Sequence, residues 1–161
     1  MENLKIDEKE AIKEFPRAPQ WFQKVLINTF GAETFSGISF ERLSTFGDAY
    51  VWADDATRKE FDDSPGGTPD EIAYKKLKLI TRVANTDPVT GKTWTPDWKN
   101  TDQKKWFPIF NLSSGCGFAD STYDYDYSDT SVGSRLCFET KEKSDFIAKQ
   151  FIKLYTDYLT R

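Results

Sequence analysis

The densest cluster of residues able to do chemistry lies at 92–107. Three tryptophans (Trp94, Trp98, Trp106) and four lysines (Lys92, Lys99, Lys104, Lys105) fall within sixteen residues. Indole rings stack on bases and cations track phosphates, so this composition suits single-stranded nucleic acid. Exposed indole faces also stack on sugars. The plainer reading is that the three indoles close a core, with the lysines on its wet side. A second cluster runs through 120–129, where Asp120, Asp124, Asp126 and Asp129 alternate with Tyr123, Tyr125 and Tyr127. Four carboxylates could wrap a hard cation, but the glycine and terminal glutamate of a calcium loop are not in place. Alternation of this kind also describes a half-exposed strand with its tyrosines on one face. Such a row offers a protein-contact surface at low entropic cost. Third, Gly133-Ser134-Arg135 could hold an anion through the planar guanidinium fork, or could simply turn the chain into a strand.

Other chemistries are closed. The chain has no histidine among its 161 residues. The commonest general base near neutral pH and the commonest metal ligand are therefore missing. Serine–histidine triads, cysteine–histidine dyads and histidine-rich zinc sites are excluded. Two cysteines, Cys116 and Cys137, are too few for a structural zinc site; they could pair if they lie on neighbouring strands, but reduced thiols are the expectation. Paired carboxylates for glycoside hydrolysis need a geometry that sequence does not display, and with 26 acidic residues any chosen pair is coincidental. No metal or cofactor is expected. The net charge of −4 works against a nucleic-acid domain.

The elements that must position these residues are partly readable. Residues 8–15 read as a short helix capped by Asp7 and ended by Pro16. A second helix runs from Pro19 to Phe30, with Trp21, Phe22, Val25, Leu26 and Phe30 as an apolar stripe and Gly31 as a left-handed cap. A short strand is expected at 37–40, and then a brief helix capped by Ser44 or Thr45. Residues 54–67 turn polar, and 62–67 carry the strongest loop signal in the chain. Thr68, Pro69 and Glu71 open a helix over 69–85 whose buried stripe is Ile72, Leu77, Ile80, Val83 and Ala84.

The C-terminal third reads as strands at 106–112, 115–127 and 134–140, with Pro108 marking an edge or bulge. Thr140 then caps a final helix over 141–159. The expected class is α+β: an N-terminal helical half over about 1–85, then a small antiparallel sheet packed against a C-terminal helix over about 86–161, all in one domain. The first residues, Met1-Glu2-Asn3-Leu4-Lys5, carry no apolar run, so no secretory signal is expected. No apolar stretch approaches membrane-spanning length. A cytoplasmic protein is the default.

Several strings resemble a known family. Trp94-Thr95-Pro96-Asp97-Trp98, Lys105-Trp106-Phe107-Pro108, Gly117-Phe118 and Ala148-Lys149-Gln150-Phe151 belong to the pattern. So does Glu41-Arg42-Leu43-Ser44-Thr45-Phe46-Gly47-Asp48-Ala49 in the N-terminal half. The most specific part is Val132-Gly133-Ser134-Arg135-Leu136-Cys137-Phe138. Together they are similar to a widespread family of small uncharacterised proteins of phages, prophages and mobile elements in gut Bacteroidetes. Residues 54–67 and 86–93 depart from that pattern. The resemblance implies a phage or mobile-element setting and carries no catalytic residue. The expected function is therefore non-catalytic binding, as a virion component or an inhibitor of a host factor, in the host cytoplasm or the virion. The expected partner is a protein. A single-stranded nucleic-acid binder and a carboxylate-based hydrolase are the alternatives. The candidate binding residues are Trp94, Trp98, Lys99, Lys105, Trp106, Tyr123, Tyr125, Tyr127 and Arg135.

Overall fold

A computed structural model describes residues 6–15, 18–35, 40–64, 66–113, 115–125 and 135–160. Helix α1 (Glu8–Glu14) begins where Asp7 accepts the backbone N–H of Glu10 at 2.8 Å. Glu8 and Glu10 in its first turn suit the positive end of the helix dipole. Helix α2 (Gln20–Phe30) has Pro19 as its N-cap. Gly31 leaves the helix at φ +86° but ψ 150°, so its backbone is not the left-handed helical one expected. Phe15 and Phe35 stack with centroids 4.2 Å apart and, with Ala11, Ala18 and Leu26, form a small core of their own. That core is narrow, and it covers only the side of α2 that carries Phe22, Leu26 and Phe30. Trp21 and Val25, one step around the helix, stay exposed, Trp21 by 68%. The five-residue stripe was too wide to be core throughout.

The strand expected at 37–40 lies outside the described residues except for Phe40, which opens a tight turn at Phe40–Arg42. Helix α3 (Phe46–Trp52) starts from a capping box in which Thr45 and Asp48 each accept the other's backbone N–H. Residues 54–67 are not simply a loop. Asp54 accepts the N–H of Thr57 at 2.6 Å and caps α4 (Asp55–Asp62), which ion pairs from Arg58 to Asp55 and from Lys59 to Asp63 reinforce. Helix α5 (Pro69–Ala84) begins as expected, with Glu71 accepting the N–H of Thr68. Leu77, Ile80, Val83 and Ala84 are buried, while Ile72 lies in the first turns, ahead of the core, and is exposed.

Strands β1 (Lys105–Asn111) and β2 (Gly117–Asp124) pair antiparallel, Trp106 opposite Tyr123 and Pro108 opposite Ser121. The register shifts at Ile109/Phe110, directly after the proline that lacks an N–H. The third strand reduces to one bridge, Phe138 exchanging both hydrogen bonds with Trp106 at 2.8 and 3.0 Å. On either side of it the backbone turns to another partner. The Asn85 amide donates to the Cys137 carbonyl at 2.9 Å and accepts the Glu139 N–H at 3.1 Å. Ser134 lies outside the described residues.

Thr140 caps α6 (Lys141–Gln150), and the chain breaks at Phe151 before α7 (Ile152–Thr160). The expected single final helix is thus two. The break lets α6 lie on both strands while α7 lies on α5, where Tyr158 stacks on Tyr74 at 5.2 Å. Leu77, Ile80, Phe107, Leu136, Phe138, Ile147 and Tyr155 fill the main core between these layers. The architecture is α+β, helical in its N-terminal half, with a two-stranded antiparallel sheet against the C-terminal helices. Among the described residues no helix is long and apolar enough to cross a membrane.

Candidate binding cleft

The chain from Asn85 to Trp98 folds back over the end of α5. The Trp94 N–H donates to the Asn85 carbonyl at 2.8 Å, and Thr86 bridges to Thr93. Gly91 makes the reversal at φ +68°, in the left-handed region that glycine enters without a side-chain penalty. Gln103 fastens the far end, accepting the Asp97 N–H at 2.6 Å and donating to the Thr95 carbonyl at 3.3 Å. The Lys105 ammonium sits 5.4 Å from the Trp98 ring. The indoles of Trp94 and Trp98, both half-buried, are thereby fixed as one wall of a cleft of about 620 Å³.

The opposite wall is α5. Lys75, Lys78 and Arg82 recur at spacings of three and four and so share one face of the helix. Glu60 and Phe61 of α4, Arg135 and Cys137 also line the cleft. Among the described residues the lining therefore holds four cations and one carboxylate, Glu60. The Lys78 ammonium bonds that carboxylate at 3.0 Å and, with the charges of Arg82 and Arg135 nearby, holds Glu60 below its ordinary value. Arg82 approaches Glu60 and Asp54 only to 3.9 Å, too far for hydrogen bonds. Its guanidinium donors and those of Arg135 make no hydrogen bond among the described residues. Thr81, 3% exposed, lines the same cleft, and its hydroxyl has no hydrogen-bond partner among the described residues. An orphan polar group of this kind costs about 1–3 kcal/mol unless something satisfies it. The Cys137 thiol is pushed up to about 12 by burial, so it is protonated near neutrality and a poor nucleophile.

Of the residues singled out from sequence, Trp94, Trp98 and Arg135 meet in this cleft. Lys99 is exposed next to Trp98 and does not line it. Lys105 is fully buried, and its ammonium donates to the carbonyls of Asn100, at 2.9 Å, and Tyr125. That occupation makes it a structural peg rather than a phosphate contact. Trp106, Tyr123 and Tyr125 form a separate cluster on the sheet, with Trp106 and Tyr123 4.8 Å apart and Lys104 over the Tyr123 ring at 4.4 Å. Tyr123 is 41% exposed there. Tyr127 lies outside the described residues. Sequence reasoning missed Lys75, Lys78, Thr81 and Arg82, although the spacing of the three cations was there to be read.

Neither cysteine forms a disulfide. No group of three or more Asp, Glu or Cys among the described residues could hold a metal ion. Comparison with protein-family models, curated proteins and solved structures finds no match.

Proposed function

We propose that this chain is a non-catalytic binding protein whose ligand, an anion with a flat apolar part, sits in the cleft between α5 and Trp94 and Trp98. The observation that carries this is the pairing of four cations and two indoles in a chain of net charge −4. Cations concentrated against the overall sign of a protein focus an attractive field on one place. Binding is favoured over catalysis because the one carboxylate in the cleft is held low, whereas a general acid needs a raised value. The buried thiol beside it is protonated. The resemblance of the sequence to phage and mobile-element proteins supports that setting, with the host cytoplasm or the virion as its place and a host or phage protein as a further partner. The cluster of Trp106, Tyr123 and Tyr125 is the surface that favours such a protein partner.

The test is a fluorescent aromatic anion, anilinonaphthalene sulfonate, titrated into the folded chain at low salt. It should bind with enhanced emission, and Arg135→Glu should weaken binding roughly tenfold by reversing a charge at the cleft mouth. Dye binding that Arg135→Glu and Arg82→Glu both leave unchanged would remove the proposal.

A further inference from the structure

The cleft also carries features that define what kind of anion fits. Its volume, about 620 Å³, falls inside the range of small-molecule sites. Trp94 and Trp98 line it, and indole rings suit a planar ring as partner. Arg82 and Arg135 line it with fork-shaped donors that match phosphate geometry, Arg82 standing 3.9 Å from Glu60 and from Asp54. Thr81, whose buried hydroxyl has no hydrogen-bond partner among the described residues, also lines it. We infer that the cleft is a site for a free mononucleotide, its base against the tryptophans and its phosphate on Arg82 and Arg135. This rests on the cleft being the binding surface proposed above.

A polymer is a poorer fit than a mononucleotide. A nucleic-acid strand needs cations that continue along its backbone. Here Lys99 lies outside the cleft, Lys105 is buried and bonded to two carbonyls, and Lys104 faces Tyr123 on the sheet. The chain is negative as a whole, which works further against a polymer of phosphates.

The experiment displaces bound anilinonaphthalene sulfonate from the folded chain with adenosine monophosphate, uridine monophosphate, adenosine, ribose phosphate, inorganic phosphate or oligothymidylate. Either mononucleotide should displace the dye at a concentration at least roughly tenfold below that needed for adenosine, ribose phosphate or inorganic phosphate, because only it engages both walls. Trp98→Ala should raise the required mononucleotide concentration roughly tenfold, with Trp98→Phe recovering most of the loss. Arg135→Gln, at an exposed position that leaves the core untouched, should raise it by a similar factor. Circular dichroism of each variant confirms that it is folded. A dye that stays sensitive to Arg135→Glu yet is displaced by no mononucleotide overturns this inference and leaves the binding function standing. Adenosine or ribose phosphate matching the mononucleotides overturns it too, as does oligothymidylate displacing the dye at a lower nucleotide concentration. Dye binding indifferent to Arg135→Glu and Arg82→Glu removes the binding function itself.

Discussion

Replacing Asn85 by alanine should destabilise the protein more than any single hydrogen bond would. Asn85 is buried at the end of α5, and three segments converge on it. Its amide donates to the Cys137 carbonyl at 2.9 Å, its side-chain oxygen accepts the Glu139 N–H at 3.1 Å, and its own carbonyl receives the Trp94 N–H at 2.8 Å. Alanine keeps the last bond and deletes the first two. Each buried partner left behind costs about 1–3 kcal/mol. Glu139 is exposed, so water can reach its N–H and the pair should together cost about 2–4 kcal/mol. For a chain of this length that lowers the melting temperature by roughly 4–16 °C. Urea denaturation followed by tryptophan fluorescence gives the free energy, and an unchanged slope shows that the same surface is exposed on unfolding. Asn85→Asp is the control: it still accepts from Glu139 but cannot donate to Cys137, and it buries a charge, so it should be no more stable than the alanine variant. A loss under about 0.5 kcal/mol for Asn85→Ala would refute the claim that this side chain replaces strand pairing at 137–139.

Three further outcomes follow. Lys105→Ala strands the carbonyls of Asn100 and Tyr125 and should cost about 2–4 kcal/mol, while Lys99→Ala should stay within about 0.5 kcal/mol; denaturation midpoints that coincide would contradict the difference in their burial. Glu60 is held low by the Lys78 ammonium, Asp87 by the Thr90 N–H and Asp120 by the Lys141 ammonium, so each binds its proton less readily folded than unfolded. Their stabilisation is complete above the unfolded values and is lost as pH falls through the lower folded ones, so the urea midpoint should hold from about pH 7 to about pH 5 and drop below about pH 4; a midpoint that rises on acidification has the wrong sign. Iodoacetamide at about pH 8 should label Cys116 alone in the folded chain and both thiols in denaturant, because burial keeps the Cys137 thiol protonated and covered; mass spectrometry showing Cys137 labelled first would oppose this.

Local signals in the sequence served where a local cause decides the structure. Asp7, Thr45, Thr68 and Thr140 each stand before a helix, and the cap is a contact three residues away. Helix α4 escaped notice because its inward face is little more than Thr57 and Phe61, so its apolar period is too faint to stand out from the charges. The third strand was misread for a non-local reason. Residues 136–138 have the alternation of a short strand, but beside the single Phe138–Trp106 bridge the Cys137 carbonyl and the Glu139 N–H are claimed by Asn85, some fifty residues earlier. The cleft divides in the same way. The tryptophans and Arg135 were visible as residue types. Lys75, Lys78 and Arg82 look like any solvated helix face until the 94–98 segment is laid opposite them. Lys105, in turn, was indistinguishable from its neighbours Lys99 and Lys104, because only the register of β1 decides which lysine is drawn inside.

The break at Phe151 also bears on the expected order of folding. α6 packs on the strands that precede it, a set of contacts made over short stretches of chain. α7 packs on α5, with the whole of the sheet lying between them in sequence. Closing that long loop costs more chain entropy before any contact repays it. Docking of α7 is therefore the expected late step, with the Tyr74–Tyr158 stack predicted to form after the barrier. Weakening that stack should leave the refolding rate nearly unchanged and quicken unfolding, which makes α7 the clasp on the lifetime of the folded state rather than on its formation.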